Sequence, residues 1–249
     1  MAPIALLLAA CATARRPLTG PIETDRPDFT EATSTVETGH VQSEGGYTFT
    51  RDGAERAQSI GELLVRIGTT DWSELRVGVN SYDVIGPNTS RKSGMEDATL
   101  GAKIRLRVGG EEPSVVPALS LLVGTTVPTG ARTLNDRTWR PEAKLAAAWH
   151  LTKRTGLSAN GNYSYESDAG ERFSQWASSL SLDTELSSVV GAYAEYYGFY
   201  GPAFPAKHYI NAGVTRALGR DTQLDFRVGT RTNAPFPAYF TGIGLARRW

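Results

Sequence analysis

The residues best suited to acid–base chemistry or metal binding in this 249-residue chain are its three histidines. His40, His150 and His208 fall in separate segments, and none has a second ligand at the short spacing that a zinc site uses. The chain also lacks a phosphate-binding loop, a GxGxxG fingerprint and a GxSxG serine motif. We therefore predict that the protein is not an enzyme, has no metal site and needs no cofactor.

The charged residues follow a regular pattern instead. In residues 96–108, EDATLGAKIRLRV, apolar side chains occupy every second position from Ala98 to Val108, and the positions between them, from Asp97 to Arg107, are mostly polar or charged. A helix would scatter these two sets around its circumference, whereas a pleated strand places them on opposite faces. This segment is therefore predicted to be a β-strand with one apolar face and one charged face.

The same alternation recurs from Gly39 to Trp249 and predicts about twelve strands. Short links alternate with longer links rich in Pro, Gly, Asp and Asn, as in a barrel with short periplasmic turns and longer extracellular loops. We predict an all-β fold, a closed antiparallel up-and-down transmembrane β-barrel. The predicted strands cover about residues 40–50, 59–68, 73–84, 96–108, 114–127, 138–151, 155–165, 174–186, 189–198, 207–217, 222–231 and 239–249. The predicted longer links are 51–58, 85–95, 128–137, 166–173, 199–206 and 232–238.

Charge placement decides which face meets lipid, because Arg or Lys at the bilayer midplane costs about 2–4 kcal/mol. The apolar faces carry only Asp83, His208, Arg216 and Arg247 as titratable exceptions, all near strand ends. The opposite faces are predicted to line the lumen, as a solute path or as a charge network in which Glu62 could pair with Arg76 and Arg66 with Glu74. The predicted lumen-facing residues are Glu62, Arg66, Glu74, Arg76, Lys103, Arg105, Arg107, Arg140, Glu142, Lys144, Asp183, Glu185, Glu195, Asp225 and Arg227.

A soluble barrel would also alternate, so a second feature is needed to favour the membrane. Aromatic residues gather near the predicted strand ends, as an interfacial girdle requires. The aromatic residues near strand ends are Trp139, Trp149, Tyr165, Trp176, Tyr239 and Trp249.

With Glu44 and Asp97 added, the predicted lumen-facing acids and bases are nearly equal in number, which predicts weak ion selectivity.

The first 38 residues do not follow the strand pattern. Residues 1–19 begin MAPIALLLAAC and resemble a secretion signal without its basic start; Leu8–Cys11 also resembles a lipobox, so Cys11 is either a lipidation site or part of an ordinary signal. Residues 20–38 are polar and contain Pro21 and Pro27. We predict three parts: a leader at 1–19, a periplasmic or plug segment at 20–38, and the barrel at 39–249.

Several stretches together resemble one family. They are TDRPDFTE (24–31), GHVQSEGGYTF, ELLVRIG (62–68), ELRVGVN, EDATLGAKIRL, VPALSLLVGTTVPTG, QLDFRVGTRTN and the terminal GIGLARRW. In this order they are similar to the meta-pathway phenol degradation family, from about residue 22 to the end. The resemblance implies an outer-membrane barrel that transports hydrophobic or aromatic compounds. Trp249 is similar to the terminal aromatic residue that barrel-assembly machinery recognises, although Arg247 departs from that pattern.

Three functions remain open from the sequence. The first is a transporter or porin-like channel for small, hydrophobic or aromatic, solutes in the outer membrane of a Gram-negative cell, with lipid, the assembly machinery and a solute as partners. The second is a closed structural or adhesion barrel whose loops bind a partner. The third is a lipid-active enzyme such as an outer-membrane phospholipase, which also uses twelve strands, but the His-x-Ser pattern of that family is absent.

Overall fold

The computed structural model describes residue 18 and residues 20–87, 90–110, 113–134, 137–168 and 170–249. The leader, including Cys11, therefore lies almost wholly outside the described residues. The described residues contain no helix long and apolar enough to span a membrane. Their strands are β1 (Val41–Asp52), β2 (Glu55–Thr70), β3 (Ser73–Gly86), β4 (Lys92–Met95), β5 (Ala98–Arg107), β6 (Ala118–Val127), β7 (Arg140–His150), β8 (Thr155–Asp168), β9 (Glu171–Glu185), β10 (Val190–Gly201), β11 (Phe204–Ala217), β12 (Thr222–Arg231) and β13 (Ala238–Arg248).

The strands form one closed antiparallel sheet. Each strand pairs with its neighbour in sequence, except that β3 pairs with both β4 and β5. The sheet closes because β1 pairs with β13 on one side and with β2 on the other. Strands β4 and β5 share one position in the wall, so the thirteen strands of the described residues make a barrel of twelve positions. The predicted fold class is confirmed.

The distribution of side chains is the reverse of that in a soluble protein. Leu145 and Leu180 are each 49% exposed and Ile243 is 55% exposed, whereas Arg66 and Lys103 are inaccessible at 0%. A protein surrounded by water would bury the former and expose the latter. The apolar band therefore faces outward, where hydrocarbon solvates it, and the charged side chains line the interior. Exposed tryptophans near the strand ends are Trp72, Trp139, Trp176 and Trp249.

The two ends of the barrel differ in their links. We call the end at which Val41 and Trp249 pair the terminal rim, and the other end the distal rim. At the distal rim, three links predicted to be long (51–58, 166–173 and 199–206) consist mostly of paired strand, and the turns that the structure describes there include residues 53–54, Gly170 and 202–203. Gly53 and Gly170 have positive φ angles of 64° and 86°, which allow such tight turns. At the terminal rim, the link 108–117 is longer than predicted.

Asp83 was predicted on the outer face, and this prediction is wrong. Asp83 is 5% exposed and pairs with Ser59, which pairs with Thr48. Paired residues share a face, and the Thr48 hydroxyl accepts a hydrogen bond from the inward-facing Arg227. The alternation changes register at Asn80, whose φ of 61° marks an irregularity in the β2–β3 pairing. A bulge of this kind leaves no trace in an apolar–polar pattern.

Candidate functional site in the barrel lumen

Residues 20–38, which we call the inner segment, cross the interior of the barrel without forming a helix or a strand. Asp25 contacts Lys103 on β5, Thr30 contacts Ser179 on β9, and the amide of Val36 donates to Glu74 on β3. Strands β3 and β5 are neighbours in the wall, and β9 lies on another side of it. The segment therefore extends across the lumen and binds the inward faces of the strands around it.

The centre of the contact is the buried guanidinium of Arg66. Its Nη1 lies 2.9 Å from Glu44 and 3.3 Å from Asp25. Its Nε and Nη2 donate to the two carboxylate oxygens of Glu74, at 2.9 and 3.0 Å. Such a fork-to-carboxylate pair is among the strongest side-chain hydrogen bonds. Three carboxylates thus surround one cation where no water reaches it, and the predicted Arg66–Glu74 pair is present.

Asp25 is the carboxylate that the inner segment contributes to this cluster. The ammonium group of Lys103 donates to both of its oxygens, at 2.8 and 2.9 Å, and Arg76 donates to Oδ2 as well. Burial alone would raise the pKa of Asp25, but the charges of Arg66, Lys103 and Arg76 outweigh it and hold the pKa well below its usual value. Asp25 is therefore ionised and neutralises cations of three strands.

Glu31 makes a second bridge between the segment and the wall. One of its oxygens lies 2.9 Å from Arg76 Nη2, and the other lies 3.1 Å from Lys144 Nζ. Arg76 on β3 and Lys144 on β7 belong to different parts of the wall. A single side chain of the segment therefore joins two lumen-facing cations that lie on strands not adjacent in the wall.

Glu195 holds the middle of the inner segment by its backbone. The amides of Phe29 and Thr30 donate to its two oxygens, at 2.9 and 2.6 Å, and the Thr30 hydroxyl donates as well, at 2.6 Å. Asn211 adds a further hydrogen bond of 3.0 Å from the wall. Hydrogen bonds to a charged acceptor are worth about 1.5–3 kcal/mol each, so this carboxylate is a strong point of attachment.

Arg248 joins the two ends of the inner segment at the terminal rim. Its guanidinium donates to the carboxylate of Glu37 at 3.0 and 3.2 Å and to the carbonyl of Gly20 at 2.8 Å. It also bonds Asp221, at 2.8 and 3.1 Å. Sequence reasoning missed this residue, although Arg248 alternates with the outward-facing Leu245, Arg247 and Trp249 positions and could have been assigned to the inner face.

Arg26 replaces a predicted partner. Glu62 was predicted to pair with Arg76, but its carboxylate lies 2.7 Å from Arg26 and 3.6 Å from Arg227. Arg26 also lies 3.5 Å from Asp225. Glycines occupy the wall positions next to this side chain, because a Cβ on Gly46 or on Gly244 would come within 2.4 Å of Arg26 atoms. These glycines make room for the segment.

Six of the predicted lumen residues form no hydrogen bond or ion pair with the described inner segment. One of them is Glu142, whose carboxylate lies 3.7 Å from Lys144. Arg105 bonds the carbonyl of Asp71 at the terminal rim, and Arg107, past a bulge, is exposed and bonds the carbonyl of Pro117. Asp183 and Glu185 are exposed near the same rim. Arg140 binds Asp97 and Glu166 on the distal side, at 3.3 and 3.8 Å. Of the predicted lumen residues, the inner segment thus binds those in the middle of the wall, whereas at the terminal rim it binds Arg248, which was not predicted.

The part of the lumen that the structure describes contains a cavity on each side of the inner segment. One, of about 250 Å³, includes Glu31, Asn80, Thr99, Glu142 and Lys144 and lies toward the distal rim. The other, of about 160 Å³, includes Gly20, Glu23, Glu37, Arg105 and Arg248 and lies toward the terminal rim. Between them lie the inaccessible side chains of Arg66 and Lys103 and the nearly inaccessible Asp25. The inner segment thus separates a distal cavity from a terminal one.

Comparison with known proteins shows which family has this sequence pattern. The family model described as "Putative MetA-pathway of phenol degradation" matches residues 24–249, which is nearly the whole described chain. The chain belongs to this family. No curated protein sequence matches the chain at a significant level. The resemblance seen in the sequence is confirmed, and the match includes most of the inner segment.

Solved structures share the fold at low sequence identity. An outer-membrane channel from Pseudomonas putida F1 has a TM-score of 0.69 and 15% identity, with 90% of this chain and 99% of that chain covered. The NanC porin has a TM-score of 0.58 and 8% identity, with 83% and 98% covered. The KdgM porin in complex with disordered oligogalacturonate has a TM-score of 0.51 and 11% identity, with 82% and 98% covered. The chain therefore has the fold of an outer-membrane β-barrel.

Proposed function

We propose that the protein is an outer-membrane channel for small solutes and that its inner segment is the element that closes the lumen. The observation that carries the proposal is that the inner segment separates two cavities. The segment is held in place by side-chain contacts and individual hydrogen bonds, not by pairing with a strand. The segment adds no strand to the sheet, so it can leave without breaking the wall. Most of the buried side chains of the described residues are polar or charged, as in a lumen that can hold water.

The family and the structural neighbours support this function. The P. putida protein is described as an outer-membrane channel, and NanC and KdgM are described as porins. Barrels of eight strands are filled and those of sixteen strands hold an aqueous channel, so twelve positions leave a narrow passage. The predicted lumen-facing acids and bases are nearly equal in number, and we expect the passage to distinguish solutes by size more than by charge.

The final strand supports insertion into the outer membrane. The amide and carbonyl of Trp249 pair with Val41, and its side chain is about half exposed at the terminal rim. An aromatic ring in that position is suited to the membrane interface. We propose that Trp249 marks the end of the barrel for the assembly machinery and that the terminal rim faces the periplasm.

Planar-bilayer recording tests the channel directly. We would compare the full chain with a variant that lacks residues 20–38, both refolded and shown to migrate as heat-modifiable barrels. The full chain should show a small or intermittent conductance, and the deletion variant a larger and steadier one. Two folded proteins that are both silent over a range of voltages would contradict the channel. Equal conductance in the two would contradict the closing role of the segment alone.

A further inference from the structure

Aromatic rings cluster in one sector of the lumen. Tyr197 and Phe199 on β10 and Tyr209 on β11 face inward, and Phe29 of the inner segment packs against the first two. The rings of Tyr197 and Tyr209 are stacked, with centroids 4.8 Å apart and planes 7° apart. The ring of Phe199 stands perpendicular to both, at 6.0 and 6.1 Å. We call Tyr197, Phe199 and Tyr209 the aromatic corner.

The aromatic corner is shaped for a flat ring. Phe29 lies on the face of Tyr197, at 4.5 Å and 16°, and meets Phe199 edge to face, at 5.3 Å and 75°. Both arrangements are preferred geometries of aromatic pairs, and an aliphatic group of the same volume would gain neither. The corner thus offers one ring a stacking surface and a perpendicular wall together.

The occupant of the corner is not part of the wall. Phe29 belongs to the inner segment, and its amide is held by Glu195, two residues before Tyr197 on the inward face of β10. When the segment leaves the lumen, the ring of Phe29 leaves with it, while Tyr197, Phe199 and Tyr209 stay on their strands. The corner then faces the passage with its stacking surface uncovered.

We propose that the aromatic corner is a binding site for the planar aromatic ring of a small solute, and that Phe29 occupies this site as an internal competitor. A solute ring that takes the corner removes one attachment of the inner segment, so binding and opening favour each other. The link to opening rests on the proposed channel function. The binding itself does not, and it can be measured without any current.

Equilibrium dialysis of labelled phenol against matched detergent micelles tests the site in the full chain. Phe29→Ala should bind phenol about tenfold more tightly than the wild type, since the competitor is gone and the corner remains. Val36→Ala, which truncates another buried apolar side chain of the same segment, should stay within about twofold of the wild type. Adding Tyr197→Leu to Phe29→Ala should restore weak binding.

Cyclohexanol, which matches phenol in size and hydroxyl group but has no aromatic ring, separates stacking from simple filling of a void. It should gain no affinity in Phe29→Ala. An equal gain for both solutes, or an equal gain in Val36→Ala, would overturn the aromatic site. Ring-specific phenol binding in a protein that never conducts would support the aromatic site and contradict the channel function. Conduction without ring-specific binding would support the channel function and contradict the aromatic site.

Discussion

Asp25→Asn should release the inner segment, because Asp25 neutralises three wall cations at once. After the change, Arg66 keeps Glu44 and Glu74, and Arg76 keeps Glu31 and Glu74. Among the described residues, no carboxylate then remains within 4 Å of the Lys103 ammonium group. Only the carbonyl oxygens of Ala32 and Ser34 still contact it, at 2.9 and 3.3 Å.

The size of the effect follows from the burial of Lys103. Removing one partner of a buried ion pair costs about 3–5 kcal/mol, and an amide oxygen retains part of the contact, which favours the lower value. A loss of about 3 kcal/mol changes the ratio of docked to released segment by about a hundredfold. The wall itself loses no contact between strands, so the barrel should keep its folded migration.

Hydrogen exchange and bilayer current measure this change independently. In Asp25→Asn the amides of Phe29, Thr30 and Val36 should exchange about a hundredfold faster, and the open fraction of the channel should rise. Glu23→Gln is the matched control, because Glu23 lies in the same segment with an exposed side chain. Equal protection in wild type and Asp25→Asn, or equal loss in both variants, would refute the reasoning.

Three further predictions concern the anchor, the pH and the outer face. Arg248→Lys should lower the free energy of unfolding in urea by about 2–3 kcal/mol, since the single ammonium nitrogen of Lys cannot reproduce the five hydrogen bonds that the Arg248 guanidinium makes to Glu37, Asp221 and Gly20, whereas the exposed Arg247→Lys should change it by less than about 0.5 kcal/mol; similar losses would contradict the anchor. Burial and the charge of Glu195 raise the pKa of Asp28 well above its usual value, so the contribution of Asp28 to docking should be complete below about pH 4 and should be lost as the pH rises through the raised pKa; Asp28→Asn should abolish this trend in hydrogen exchange, and a trend that survives it would assign the titration elsewhere. Leu145→Arg should destabilise the barrel in lipid by about 2–4 kcal/mol, and a neutral effect would show that this position does not face hydrocarbon.

The wall could be predicted from the sequence because its two environments differ so strongly. Lipid accepts Leu145 and rejects a charge at midplane, so alternation alone assigned Lys144 to the interior and Leu145 to the outside. The same rule placed Glu74 and Lys103 on the inner side, and the structure describes both as fully buried. One failure of the rule, at Asp83, comes from the positive φ of Asn80, a backbone feature without a period.

The contacts of the inner segment could not be predicted in the same way. Asp25 and Lys103 are 78 positions apart, and Thr30 and Glu195 are 165 apart. No local pattern encodes such pairs, since they depend on where a segment without regular structure settles inside a closed wall. The prediction that Glu62 would pair with Arg76 considered only wall residues, and the structure gives both of them partners from the segment, Arg26 and Glu31.

The lengths of the links between strands could not be predicted from the apolar–polar alternation either. Turn-forming residues such as Gly53 and Gly170 were interpreted as parts of long loops, but strands β1, β2, β8 and β9 continue to within two residues of each turn. Polar residues beyond the lipid can pair as strands without alternating, because both of their faces meet water. The strands therefore extend beyond the lipid-facing region, which is the only region where apolar–polar alternation can identify them.

A disulfide between the inner segment and the wall tests the central claim most directly. The hydroxyl oxygens of Thr30 and Ser179 are 2.8 Å apart, so the sulfur atoms of two cysteines at these positions would lie close to each other. We would make Thr30→Cys with Ser179→Cys in a background in which Cys11 is replaced by Ser, and record bilayer current before and after adding a reductant. We expect a closed barrel when the disulfide is oxidised, a conducting barrel when it is reduced, and no redox response in Thr30→Cys alone. A disulfide that forms readily and leaves the current unchanged would contradict the central claim.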